Sequence, residues 1–533
     1  MNRTRSTICC KMAGRWGVAF MAIWLAATDA GARVVNLTIL NTTDLHGTLR
    51  QETIAEAGRG AGSLLQCATL IRRAQADNPH TLLLDCGDIF QGSAASFLTQ
   101  GRVMATVMNE LGYDAFAIGN HEFDWGVETL AAFLGQMRAV PLAANMRVGS
   151  GAPLALQRVL PFIIKEVDGI RVAVVGLTTP NIPQWTRGLA QQDISFTDSR
   201  RALERTLPLV RAQQPHIMVL LVHQGLLSSD DAANEINTIA RRFGEFDAVL
   251  GGHLHYVLTG IRVGNVSYAQ AGYGAAGVMR VDFAYDTVEN RLVDKQFRFV
   301  PIDDDVPEDP ALAKLVERDL AKATKWLETR VGTTKRDINY SAALPGLCPV
   351  QQLLSAAIAA HTGAEVVLHG PLVETGIPAG DIRVADVWRI VPYENTAGCL
   401  WLTLGEIQAL MEEATEYLGT ERYPGAWGLS YDLYPKAPHG HRIRNLRAMD
   451  GSAINGKRRL KVALNSYHLA GGGGRFPKIA KMAAMPNARL ETSDVVVRDM
   501  VLEYIRQQRV LDIPPGTNAT VVLKEPRAWH RRH

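Results

Sequence analysis

Five short blocks decide the fold: TTDLHG (Thr42–Gly47), DCGDIFQG (Asp85–Gly92), GNHEFDWG (Gly119–Gly126), VHQG (Val222–Gly225) and GGHLH (Gly251–His255). Each follows an apolar run of strand length: Val34–Leu40, Thr81–Leu84, Ala115–Ile118, Ile217–Val222 and Ala248–Leu250. Ile170–Val175 is a sixth such run. Helical stretches such as Ser63–Ala76 and Val103–Leu111 lie between several of them, which makes an α/β pattern. Every block sets Asp, Asn or His beside Gly just past a strand end. In open α/β sheets ligands gather at the carboxyl ends of strands. Gly lets the backbone turn sharply enough to aim a neighbouring side chain into a shared cleft.

The side chains so aimed form a metal inventory. Asp44 and His46 leave one turn, and Asp88, Asn120, His223, His253 and His255 add carboxylate, amide and imidazole donors. No Cys falls among them as a plausible ligand. Mixed oxygen and nitrogen ligation suits Mn, Zn, Fe or Co rather than Ca or a thiolate site. Seven donors exceed what one catalytic ion with an open position needs. They suit two divalent ions that share a bridging carboxylate.

Outward from these blocks, the chain of 533 residues is long enough for three or four ordinary domains or two large ones. Hydrophobic residues make up 47% and charged residues 20%, which excludes a disordered or collagenous chain. The formal net charge of +3 resides in residues 1–32, where Arg3, Arg5, Lys11 and Arg15 face Asp29. The remainder is neutral, which argues against a nucleic-acid polymer as partner. Residues 1–32 read as an export signal: a basic start, an apolar stretch from Gly17 to Ala27, and Ala30-Gly31-Ala32 as a cleavage pattern. The expected product is periplasmic or secreted, begins near Arg33 and is not stably inserted in a membrane. It keeps Cys67, Cys86, Cys348 and Cys399. Export permits disulfides, so Cys67–Cys86 and Cys348–Cys399 stand against four buried free thiols.

The five blocks resemble the calcineurin-like metallophosphoesterases in their exported 5′-nucleotidase branch. The resemblance covers nearly all of the chain beyond residue 32. It implies an α/β (α+β overall) architecture: a two-sheet metallophosphoesterase sandwich flanked by helices at 33–300, a linker and helix at 301–330, an α/β 5′-nucleotidase-type C-terminal domain at 331–520, and a basic tail at 521–533. It also implies roles. Asp44, His46 and His255 match the first-metal ligands and Asp88 the bridging carboxylate. Asn120, His223 and His253 match the second-metal ligands. His121 matches the catalytic His and Asp124 the carboxylate that orients it. Two cations would lower the pKa of an attacking water and neutralise phosphoryl charge. His121 would then stabilise the transition state or protonate the leaving oxygen.

Pro301–Pro310 is rich in Pro and Asp, and Asp309-Pro310 reads as the N-cap and first residue of a helix with apolar residues at helical spacing from Leu312 to Leu327. Further on, VPYENT (Val391–Thr396) resembles the family's base-stacking turn, with Tyr393 as the aromatic and Asn395 as the polar residue. ALNSYHLAGGGGRF (Ala463–Phe476) resembles the second stacking loop, with Tyr467. Two aromatic faces can grip a nucleobase.

The chain departs from ordinary 5′-nucleotidases at His369–Glu374, where Glu374 stands in place of a phosphate-clamping Arg. Pro345–Val350 lacks a second Arg, and Gly473 or Gly474 replaces the Asp that would read the ribose diol. TTPNIPQW (Thr178–Trp185), Gly251–Val257 and Ser430–Leu446 resemble instead the branch that hydrolyses 2′,3′-cyclic nucleotides and 3′-nucleotides. The resulting expectation is a nucleotide phosphoesterase with those substrates. A 5′-nucleotidase/UDP-sugar hydrolase is the alternative within the family, and a catalytically silent nucleotide-binding surface protein the alternative outside it.

Overall fold

The computed structural model describes residues 33–523 apart from 51–61, 187–188, 342–345, 421, 472–475, 484, 486–488 and 515–517. The export-signal reading, the tail from 524 onward, Pro345 and Gly472–Gly474 lie outside the described residues. The first half is two packed six-stranded sheets. Its main strands are β1 (Val34–Thr42), β2 (Thr81–Asp85), β3 (Ala115–Ala117), β4 (Val140–Leu142), β5 (Phe162–Val167), β6 (Ile170–Leu177), β7 (Ile217–Val222), β8 (Ala248–Gly251), β9 (Val257–Val263), β10 (Val266–Ala271), β11 (Gly277–Asp286) and β12 (Arg291–Pro301). One sheet runs β12-β11-β1-β2-β3-β4 and the other β9-β10-β8-β7-β6-β5. Strands β1 to β4 are parallel, as are β6, β7, β8 and β10. Strand β7 is buried at every residue, as its unbroken apolar run requires of a strand covered on both faces.

Leu37, Ile39, Leu84, Val219, Leu250, Val281 and Phe283 belong to the core between the sheets. A second core lies under the helices and continues through Leu312 and Val316 into Leu353, Val387 and Val501 of the second half. The helix Leu64–Asp77 starts where Ser63 accepts from the Gln66 N–H at 3.3 Å. The helix Pro310–Leu327 starts as its sequence predicts, with Asp309 accepting from the Ala311 and Leu312 N–H groups at 3.0 and 2.9 Å. An Arg72–Asp309 contact of 2.7 Å ties it to the first half.

The second half centres on a four-stranded sheet of Val366–Val367, Arg459–Asn465, Thr396–Thr403 and Leu490–Val496, with two three-stranded sheets beside it. All four described Cys are buried free thiols. The pairing Cys67–Cys86 fails for a topological reason: Cys67 faces the helix-side core and Cys86 the core between the sheets. Cys348 and Cys399 share one core without bonding.

Candidate metal centre and cleft

The five blocks follow β1, β2, β3, β7 and β8. Parallel pairing aligns the carboxyl ends of the first three in one sheet and of the last two in the other, and the His223–Cys86 and His253–Asp44 hydrogen bonds join the two sets at one edge of the packed sheets. The turns are then stitched together. Asp44 and His46 donate their main-chain N–H groups to the Gly87 and Asp88 carbonyls, both at 2.9 Å. The buried Glu122 carboxylate accepts from the N–H groups of Asp88 at 2.9 Å, Ile89 at 2.6 Å and Gly119 at 2.6 Å. A Cβ on Gly119 would lie 2.2 Å from Asp88 Oδ1, so only glycine permits this approach. Asp44, His46, Asp88, His253 and His255 all have φ between 48° and 74°. Such left-handed backbone is unfavourable for side-chain-bearing residues and clusters at functional sites.

These turns assemble two groups of donors. Asp44, His46 and His255 each offer one ligand atom within 4.8 Å of the others, and so do Asp88, His223 and His253. His223 Nδ1 donates to the Cys86 carbonyl at 2.7 Å, which turns Nε2 toward Asp88 Oδ2 at 3.0 Å and Asn120 Oδ1 at 3.1 Å. His46 Nδ1 faces the Gln91 carbonyl and side-chain oxygen at 3.2 and 3.1 Å, so its Nε2 lone pair points at His255 Nε2, 3.1 Å away. Burial lowers His46 to about 4 and His253 to about 3, so both present neutral imidazole, the form that binds metal. Burial also raises Asp44 to about 7, with His223 opposing and Asp88 adding to the rise. Facing lone pairs and buried carboxylates repel one another unless a cation lies between them. This donor set fits two divalent cations.

At the rim His121 Nδ1 and Asp124 Oδ2 are 2.6 Å apart. Burial alone would lower His121, but the Asp124 and Asp88 carboxylates outweigh it and raise it to about 10. Asp88 Oδ1 accepts the His121 main-chain N–H at 2.8 Å.

Between the halves lies a cavity of about 1120 Å³. Its walls include Asp88, Asn120, His121, Asp124, His253 and His255 on one side and Tyr393, Asn395 and Tyr467 on the other. The structure thus brings every expected substrate-side residue to the expected metal-side residues, with Asp44, His46 and His223 behind that surface. The wall also takes in Gln184 and Trp185 from the TTPNIPQW motif. Trp185 packs on His253 with ring centroids 5.5 Å apart. Arg422 is the one Arg or Lys on the wall among the described residues, and no motif marked it. Glu374 is absent from the described lining residues; it accepts from the Tyr340 hydroxyl at 3.4 Å instead. Ser430–Leu446 also contributes nothing to the wall.

Comparison with known proteins agrees with this geometry. Residues 37–257 match the family described as calcineurin-like phosphoesterase, and residues 330–481 match the 5′-nucleotidase C-terminal domain. The trifunctional nucleotide phosphoesterase protein YfkN of Bacillus subtilis is 25% identical over 488 residues, 82% of this chain but 32% of that protein. The chain therefore spans about a third of the length of that relative. Protein UshA of Yersinia enterocolitica is 25% identical over 93% of this chain and 95% of its own length. In fold, the 5′-nucleotidase precursor of Thermus thermophilus matches 92% of this chain and all of its own with a TM-score of 0.69 at 22% identity.

Proposed function

We propose that this chain, which belongs to the 5′-nucleotidase family through its calcineurin-like phosphoesterase and 5′-nucleotidase C-terminal domains, hydrolyses nucleotide phosphate esters, with 2′,3′-cyclic nucleotides and 3′-nucleotides as leading substrates. One observation carries the reading: a single cavity is lined both by residues of the two donor groups and by the Tyr393–Tyr467 pair. Asp44, His46 and His255 would hold one divalent ion and Asn120, His223 and His253 the other, with Asp88 between them. Bound there, the ions would supply charge neutralisation at the phosphoryl group and a more acidic water.

The chain's own groups do the rest. Asp124 fixes the His121 ring, so that its far nitrogen can deliver a proton to the leaving oxygen. Tyr393 and Tyr467 take the two faces of the base, and Asn395 its polar edge. The cyclic and 3′ preference is supported by the scarcity of cations among the described residues of the cavity wall, where Arg422 is the one Arg or Lys, and by Glu374 in the sequence position of the Arg clamp of ordinary 5′-nucleotidases. The name of YfkN, a nucleotide phosphoesterase with more than one activity, is consistent with it. Residues 1–32 support a periplasmic or secreted location.

The test is a rate comparison on 2′,3′-cyclic AMP, 3′-AMP and 5′-AMP with Mn, Co and Zn in turn. Faster turnover of the first two is expected. A clear preference for 5′-AMP would reverse the substrate assignment, and no turnover with any metal would make the chain a nucleotide-binding protein.

A further inference from the structure

Directly between Tyr393 and Asn395 stands Glu394, and its side chain is 1% exposed. Its Oε1 accepts from Arg498 Nη2 at 2.5 Å, and the Arg498 side chain is fully buried. This ion pair is poorly satisfied. Arg498 Nε and Nη1 and Glu394 Oε2 have no hydrogen-bond partner among the described residues. In place of acceptors the guanidinium has ring faces: its carbon lies 3.6 Å from the centroid of Trp388 and 5.5 Å from that of Phe97. Phe97 belongs to the metal-binding half, on the helix Ala94–Thr99. Its ring packs on Trp125 at 5.8 Å, Trp326 at 5.9 Å and Trp388 at 5.6 Å. Trp125 directly follows Asp124, and Trp326 lies on the connecting helix Pro310–Leu327.

Arg498 therefore touches three parts at once: the base loop through Glu394, its own domain through Trp388, and the metal-binding half through Phe97. The base loop and the start of the helix Val497–Gln508 are also tied by the Val497 N–H donating to the Asn395 carbonyl at 2.8 Å. A buried ion pair with few hydrogen bonds is a poor source of stability, because desolvation offsets its attraction; a fixed geometry is what such a pair can contribute. A flat guanidinium can stack and bridge in this way, whereas an ammonium cannot.

We propose that Arg498 and Glu394 are positioning residues that set the Tyr393 loop at its working distance from the His121–Asp124 side of the cavity. The inference rests on the reading of Tyr393 as a base-stacking residue. The pair then governs how well a nucleotide is held, and has no part in the chemistry of an ester without a base.

The test uses the full metal-loaded chain and compares the best nucleotide substrate with p-nitrophenyl phosphate. In the double variant Glu394→Gln with Arg498→Met no unpaired charge is left buried. We expect its kcat/KM for the nucleotide to fall roughly tenfold or more, mainly through KM, with turnover of the base-free ester and metal content unchanged. Phe97→Leu, which removes the ring beside Arg498 and Trp388 together with its packing on Trp125 and Trp326 but leaves the ion pair intact, should give a smaller loss in the same direction and serves if the double variant does not fold. Tyr393→Ala sets the scale. Equal losses on both substrates would overturn the inference by making the pair structural. No loss on either, while Tyr393→Ala still loses the nucleotide, would overturn it and leave the function standing. If Tyr393→Ala itself shows no nucleotide-specific loss, the base-stacking reading fails and the inference with it.

Discussion

Asp88 and His121 are joined by a hydrogen bond of 2.8 Å from the His121 main-chain N–H to Asp88 Oδ1. The other carboxylate oxygen faces His223 Nε2 at 3.0 Å. One side chain thus serves as a donor in the metal group and as an anchor for the turn that carries the proposed proton donor. Substitutions at the two positions should nevertheless separate.

Asp88→Asn keeps an oxygen for the His121 N–H but removes the negative charge that two cations would share. Metal analysis of the purified variant should show loss at both sites, with turnover falling in step. Retention of two ions per chain at near-normal activity would remove Asp88 from the bridging role.

His121→Asn should leave metal content near normal while slowing the reaction by roughly 10²–10⁴-fold, the usual contribution of a positioned acid or base. Loss of metal in proportion to activity would instead make His121 a ligand.

Truncating Tyr393 and Tyr467 to Ala should each remove stacking of roughly 1–3 kcal/mol. The double variant should lose most of its preference for a nucleotide over p-nitrophenyl phosphate. Parallel loss on both substrates would show that the rings support the fold rather than the base.

Glu122 was missed as a functional position although it sits inside GNHEFDWG. Its buried carboxylate accepts three main-chain N–H groups that bind the Asp88 turn to the Asn120 turn. Glu122→Gln turns an amide N–H₂ toward at least one of these donors, at a cost of roughly 1–3 kcal/mol. Denaturant unfolding should show that cost, and metal affinity should fall because the ligand turns loosen.

Asp309 provides a pH test away from the metals. Burial tends to raise its carboxyl, but the Leu312 N–H and Arg72 outweigh this and hold it below the ordinary carboxylate range. A lowered native pKa adds stability above the unfolded pKa, and that stability is lost as pH falls through the native value. Asp309→Ala should therefore lower stability by about 1 kcal/mol at neutral pH, the usual worth of an N-cap, with the difference from wild type shrinking below about pH 4. A difference independent of pH would rule out the charged cap as its source.

Much of this protein is written locally. The apolar runs before each Gly-rich block form strands at the expected places; Ile217–Val222 agrees at both ends, and Val34–Leu40 extends only to Thr42. Asp309-Pro310 starts its helix as local capping chemistry dictates. These features depend on neighbours a few residues away, and so a single sequence reveals them. The seven candidate donors were legible for the same reason, since each stands just past a strand.

Other properties depend on partners hundreds of residues apart, and only the folded chain decides them. Strand β11 pairs antiparallel with β1 across more than two hundred residues, which no local pattern announces. The left-handed backbone at Asp44, His46, Asp88, His253 and His255 is held by contacts between turns rather than by the residue types themselves. Tertiary structure also moved Glu374 off the cavity wall, put Arg422 on it, and buried Arg498 against Phe97 and Glu394. The physical reason is common to all of these. Hydrophobic periodicity and turn chemistry specify an element, but which side chains share a cavity follows from how the sheets, the connecting helix and the second domain pack together.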